Sequence, residues 1–262
     1  MATVDLDNTN SVVLSMGDAG TVLRFPSSLA SRTVYLERMD GGASVSVGIG
    51  EDGTYAVDSS LLSAGVGAYL GVCIDSDGLA YSFSIELVPR HYCTLDQILD
   101  SGLDNGISPR QAKKTEDDAF EARARATETI DEACGRSFVK RTATQTIYAE
   151  AGRYYGLYWA GSTVNDERFR QVCDCGVVAL SDGQFELTYT HGEDYLPVDI
   201  SQATALLAAS YLTPTNIPSR ATGQSTDAGF LRFTIAGVDG ATGIPEVDSV
   251  IQRRKRERFG VI

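Results

Sequence analysis

The chain has 262 residues, 43% of them apolar and 22% charged, and a formal net charge of −13. That length suits about two domains. No run of about 18 apolar residues is present to cross a membrane, and the opening MATVDLDNTN lacks the basic and apolar regions of a secretory signal. An acidic surplus of this size disfavours a protein that grips nucleic acid through its phosphates, and suits a surface past which DNA slides.

Residues 4 to about 88 read as short strands. The segments are TVLRF (21–25), TVYLERM (33–39), ASVSVGI (43–49), AYLGVCI (68–74) and YSFSIELV (81–88). Several alternate polar and apolar side chains, the two-residue period of a half-buried strand. Asp40-Gly41-Gly42, Glu51-Asp52-Gly53 and Asp75-Ser76-Asp77-Gly78 are turn signals between them. Strands at this spacing predict a small β-sandwich or open barrel over residues 1–90, with no motif in it that carries chemistry.

A boundary falls at Pro89 to Tyr92. Thr94 and Gln97 form a capping-box pair that predicts a helix over about 94–101, and 102–114 read as a loop. Thr115 and Asp118 form a second pair, starting a helix over 116–134. Its apolar stripe is Ala119, Ala122, Ala126, Ile130 and Ala133, with Gly135 as C-cap. Strand character returns over about 141–191, in TQTIYA (144–149), YYGLYW (154–159), CGVVAL (175–180) and QFELTYTH (184–191), with Ser181-Asp182-Gly183 as the turn between the last two. Asp199 to Gln202 is expected to cap a helix over 199–212, which carries Ile200, Ala203, Leu206, Leu207 and Tyr211 inward and stops at Thr213-Pro214. Residues 213–229 read as a loop, and Pro245 as the N1 residue of a last helix over 246–259.

Few side chains suit catalysis. His91 and His191 are the only histidines. His91 lies two residues from Cys93, but a cysteine nucleophile and its base normally come from distant segments. Cys173-Asp174-Cys175 has the look of a metal or redox motif, yet a structural zinc site needs four ligands, and both residues read better as cysteines of a strand core. The five cysteines, odd in number and irregular in spacing, are expected as free thiols of a reducing compartment. Asp75, Asp77 and Gly78 echo a calcium loop without its later Glu. Neither a dinucleotide-binding nor a Walker-type phosphate loop occurs. No cofactor, metal or catalytic residue is expected.

One charge feature stands apart. Residues 253–258 read Arg-Arg-Lys-Arg-Glu-Arg, five of the chain's 22 basic residues in six positions. A basic tip on an acidic body seeks an acidic partner or a phosphate backbone. The plainer account is a helix C-terminus whose dipole favours cations.

Three segments in order over about 93–262 resemble one family. Ala119 to Phe138 resembles the long helix of tailed-phage head–tail connector (adaptor, or head-completion) proteins, with Gly135, Arg136 and Phe138 matching its end. FELTYTHGEDYLPVDISQATALLAASYL (185–212) resembles that family's strand, Tyr-x-His-Gly turn, Pro-x-Asp-Ile element and Ala/Leu-rich helix. TGIPEVDSVIQRR (242–254) resembles its C-terminal Gly-x-Pro-x-Val-Asp element. The resemblance implies a small helical bundle with a β-rich insertion over 91–262. Residues 1–90 have no counterpart in the family's short members and stand as an added β-domain of unknown role, so the chain is expected to be α+β. The resemblance also implies a structural subunit of the virion neck, made in the host cytoplasm and added during virus assembly, after viral genome packaging. The subunits would form a homo-oligomeric ring, usually a dodecamer, beneath the portal protein. That ring would extend the DNA channel without binding DNA specifically, and would offer a platform to a stopper or tail-completion protein. The C-terminal arm, about 236–262, is then the expected portal-docking element. Val247, Val250 and Ile251 would supply its apolar stripe, and Arg253, Arg254, Lys255, Arg256 and Arg258 its charge. The rival readings are a β-domain binding module and a polysaccharide-acting enzyme. The second needs two carboxylates across a cleft and a sugar-holding aromatic groove, for which Trp159 is the only tryptophan.

Overall fold

The computed structural model describes residues 2–74, 78–102, 107–213, 223–226, 229–232 and 241–256. The chain is α+β, as expected. It divides into two compact units: Met1–His91 with Arg136–Tyr195, and Tyr92–Gly135 with Leu196–Ile262. A single boundary near Pro89–Tyr92 was expected. The chain instead passes between units there and at two further points, and the β-rich insertion groups with the first 91 residues.

The first unit opens with strands β1 (Thr3–Asp5), β2 (Ser11–Ser15), β3 (Val22–Arg24), β4 (Thr33–Arg38), β5 (Val45–Gly48), β6 (Thr54–Ala56), β7 (Gly67–Ile74) and β8 (Ala80–Val88). They form a three-stranded sheet, β1-β3-β6, and a five-stranded sheet, β2-β8-β7-β4-β5. Both sheets are mixed, because β1 runs parallel to β3 and β2 parallel to β8. Leu14, Leu23, Leu36, Val47, Tyr69, Phe83 and Ile85 are almost fully buried. They are the inward members of the alternation, which is how period two becomes a core. Two one-turn helices, α1 (Leu6–Thr9) and α2 (Ser59–Leu62), were not foreseen. Of the turn signals, Asp75-Ser76-Asp77 lies outside the described residues.

The insertion adds β9 (Arg141–Ala149), β10 (Tyr154–Gly156), β11 (Phe169–Cys173), β12 (Gly176–Ala179) and β13 (Gly183–His191). β9 and β13 pair antiparallel over nine residues, from Gly183 opposite Ala149 to His191 opposite Arg141. The other three form a second small sheet, β10-β12-β11. Ser181-Asp182-Gly183 therefore joins two sheets rather than turning a hairpin, and Asp182 accepts a bond from the Ala151 N–H at 2.6 Å. Ile147, Ala149, Leu157, Phe169, Val177, Ala179, Leu187 and Tyr189 bury one shared core. Glu86 of β8 grips β9, accepting from the Arg141 guanidinium (2.6 Å at Nη2) and from the Thr142 N–H (3.0 Å).

The second unit holds α3 (Leu95–Asp100), α4 (Glu116–Cys134), α5 (Val198–Leu212) and α6 (Pro245–Arg254). Thr94/Gln97 and Thr115/Asp118 form complete capping boxes, and Gly135 ends α4 in the left-handed region at φ 67°. Ala119, Ala122, Ala126 and Ile130 are buried as the stripe predicts, and Phe120, Arg123, Asp131 and Cys134 join them. The Tyr92 hydroxyl donates to the Asp131 carboxylate. α5 packs against α3, α4 and α6. Thr204, Ala205, Ala208 and Ala209 are therefore buried along with Ile200, Ala203 and Leu207, whereas Leu206 and Tyr211 are only half-buried. A helix enclosed on several sides has no single apolar stripe, so spacing alone undercounted its core. The expected loop over 213–229 contains the strand Gly223–Thr226, paired antiparallel with Gly229–Arg232.

Candidate functional site

The C-terminal helix was the candidate docking element, and its local chemistry begins with Asp248. The Asp248 carboxylate accepts from Thr242 N–H (2.8 Å), Thr242 Oγ1 (3.0 Å) and Gly243 N–H (3.1 Å). The segment before the helix is thus folded onto the helix's own first turn, and Pro245 takes the N1 position where no N–H is needed. The Gly-x-Pro-x-Val-Asp pattern is a helix-start device.

The apolar stripe faces its own unit. Val247, Val250 and Ile251 are 0%, 8% and 3% exposed, in a helix that packs on α5 and α4. They are not open to a partner in this chain. Arg254 places Nε and Nη2 on both oxygens of Asp199 at 3.0–3.1 Å, the forked geometry that suits guanidinium and carboxylate. Arg253 reaches the same carboxylate at 4.0 Å, and the Arg256 N–H donates to the Cys134 carbonyl at 3.0 Å. Arg253 and Lys255 are exposed, Arg254 and Arg256 half-buried, and Arg258 lies outside the described residues.

Asp199 was expected to cap α5. The cap position is Pro197, which makes no side-chain cap bond, and Asp199 stands inside the first turn. Its carboxylate serves α6 instead. The Pro-x-Asp-Ile and C-terminal elements are thereby joined, a link between residues 55 apart that spacing does not announce.

The two histidines lie in separate surroundings. His91 Nε2 contacts Asp18, whose carboxylate also accepts from the Ser15 N–H at 2.7 Å. Burial pushes the Cys93 thiol up to about 12, so it is protonated at neutral pH. His191 ends β13, 3% exposed, with its ring stacked on Trp159 (centroids 5.0 Å apart, planes 5° from parallel). Its Nδ1 finds no hydrogen-bond partner among the described residues. Burial, then the positive charge of Arg141, depresses its pKa to about 3.

That depression has a sign. The unfolded chain takes up a proton near pH 6.5 and the folded one only near pH 3, so this histidine's contribution to stability falls as pH drops through that window. Between pH 7 and pH 5 the loss is about 2 kcal/mol. The check is denaturant unfolding at both pH values for the wild type and for His191→Phe, which keeps the stacked ring. The variant's stability should fall less, by about that amount. Equal slopes would show that His191 is protonated in the fold.

Cys173, Asp174 and Cys175 are not in a strand core. Cys173 ends β11, Asp174 and Cys175 form the turn into β12, and both cysteines are half-buried. Among the described residues, theirs is the one group of Cys, His, Asp or Glu side chains close enough to share an ion, with ligand atoms within 4.8 Å of one another. No helix of the described residues is long and apolar enough to cross a membrane.

No family model matches this chain, and no curated protein matches it. Among solved structures, the chain is similar to one described as the neck of an empty GTA (gene transfer agent) particle computed with C6 symmetry. The identity is 20%, the match covers 64% of this chain and 88% of that one, and the TM-score is 0.37. A likeness of that size is too slight to assign a fold or a role.

Proposed function

We propose that this chain is a structural head–tail connector (adaptor) subunit of a phage neck and not an enzyme. Its copies form a ring, usually a dodecamer, beneath the portal, extend the DNA channel, and present a platform to a stopper or tail-completion protein. One observation carries the reading. Parts of the three segments that resemble the connector family pack into a single helical unit, and their distinctive residues hold it together. Gly135 closes α4 in the left-handed region, Asp199 of the Pro-x-Asp-Ile element receives Arg254, and Asp248 of the C-terminal element builds the start of α6. The family pattern is thus a set of mutually dependent packing devices, as expected where a scaffold is the function.

The net charge of −13 supports the same reading, because an acidic channel wall repels phosphate and lets DNA pass. The docking element is narrower than the arm expected from sequence. With Val247, Val250 and Ile251 buried at home, the basic tip is what remains for the portal, and Arg253 and Lys255 are its exposed members among the described residues. The test is to mix the purified chain with its cognate portal ring and image the product. Annular complexes stacked on the portal are expected, with affinity that weakens as salt rises. A monomer that never enters portal complexes at any salt would overturn the proposal.

A further inference from the structure

The β11–β12 turn brings two thiols together on a braced frame. Cys173 Sγ and Cys175 Sγ lie 3.1 Å apart, and the Tyr154 hydroxyl is 3.7 Å from Cys173 Sγ. All three backbone carbonyls of the turn are held: Gln171 Nε2 donates to Cys173 O (3.1 Å), Ser162 N–H to Asp174 O (2.8 Å) and Leu157 N–H to Cys175 O (2.8 Å). The next residue, Gly176, lies directly under the Tyr154 ring, and a Cβ there would come within 2.1 Å of the hydroxyl oxygen. A hairpin usually leaves its turn loose. This one is fixed from both sides, with its sulfurs on one face.

We infer that Cys173 and Cys175 are a thiol–disulfide exchange site, with Cys173 the attacking sulfur and Cys175 the resolving one. The roles follow from the asymmetry of the pair. The sulfur contact, in which either thiol can donate, and the Cys175 N–H favour the charged form of Cys173 and lower its pKa, while the sulfur contact raises that of Cys175. The thiolate is the nucleophile in exchange. The oxidant is a low-molecular-weight disulfide, RSSR. Cys173 thiolate attacks one sulfur of RSSR, forming a Cys173–SR mixed disulfide and releasing RS⁻. The Cys175 thiol passes its proton to that thiolate and attacks Cys173 Sγ, expelling the second RS⁻, which takes the proton that Cys173 had lost to solvent. Two protein thiols lose two electrons and become one disulfide, and RSSR becomes two RSH. Approach from 3.1 Å to the roughly 2.05 Å of a disulfide needs only a small shift of the two side chains. Cys93 and Cys134 are buried, and Cys73, half-buried on β7, falls in a different peptide, so none of them enters the readout below.

The experiment uses the full chain with reduced and oxidised glutathione, alkylation by iodoacetamide, and mass spectrometry of the peptide spanning 171–180. In the wild type, both cysteines should lose their alkylation together, with a peptide lighter by two hydrogens and no glutathione retained. Cys175→Ser should accumulate a stable glutathione adduct at Cys173. Cys173→Ser should form its adduct at Cys175 several-fold more slowly. Alkylation of both cysteines after oxidation, a persistent mixed disulfide in the wild type, or equal rates in the two variants would each overturn the assignment. The wild-type measurement stands even if a variant folds poorly.

Discussion

Replacing Gly192 with alanine is expected to destabilise the protein by about 3–5 kcal/mol, from backbone strain together with overpacking. Gly192 follows His191 at the end of β13 with φ +95°, a conformation that L side chains rarely adopt. A Cβ there would lie 2.1 Å from the Val139 carbonyl oxygen and 3.0 Å from its carbon. Backbone cannot swing away as the end of a flexible side chain can. The next N–H, of Glu193, donates to the Ser137 carbonyl at 3.2 Å, so both sides of the turn are tied down. Gly152→Ala is the control, since φ there is +82° but nothing lies within 4 Å of the added carbon. It should cost only about 1–2 kcal/mol, the strain alone. Denaturant unfolding of both variants separates strain from collision, and equal losses would show that the Gly192 turn can open to admit a side chain.

Removing residues 245–262 should lower the stability of the isolated subunit by about 5 kcal/mol, from three buried aliphatic side chains. Val247, Val250 and Ile251 lose their burial, and the faces of α4 and α5 they cover are laid open to water. The Arg254–Asp199 fork adds little, because both side chains are about one-third exposed. Against a total stability of about 5–15 kcal/mol, this is a large share. Ile251→Ala is the milder version, at about 2–4 kcal/mol. Melting of the truncated chain at the temperature of the intact one would show instead that the helix is a free arm whose stripe waits for a partner.

Sequence legibility followed the range of the interaction. Thr94, Thr115, Gly135 and Pro245 act within one helical turn, and each was read correctly from its neighbours. β8 and β13 announce themselves by alternation over nine residues, and β7 by a continuous apolar run. β1 and β6 are three residues long, too short for a period to show. β11 has three consecutive exposed residues, Arg170, Gln171 and Val172, and so no alternation to find. The docking stripe was legible as apolar but not as to its owner, since Val247, Val250 and Ile251 have the same spacing whether they cover α5 or a neighbour. Asp199 looked like a cap because an acid before an apolar run usually is one, and its true partner is 55 residues away. The paired thiols were misplaced for a related reason. Cys173 and Cys175 share a face in a strand as well as in this turn, but only the turn brings them to half exposure with sulfurs in contact.

The interleaving of the two units sets an order of events on the ribosome. Residues 1–91 leave first, yet Glu86 has no Arg141 to grip until β9 has followed, and the strands that complete that unit end at His191. The helical unit waits longer still, since α5 is covered by α6 only once residue 254 has been made. Neither unit can finish folding as an N-terminal domain ahead of the rest, and the closing contacts span long loops whose entropy must be lost first. Strand β9 in particular stays without its partner β13 until the rest of the insertion has been made, which leaves that edge open to misassembly during synthesis.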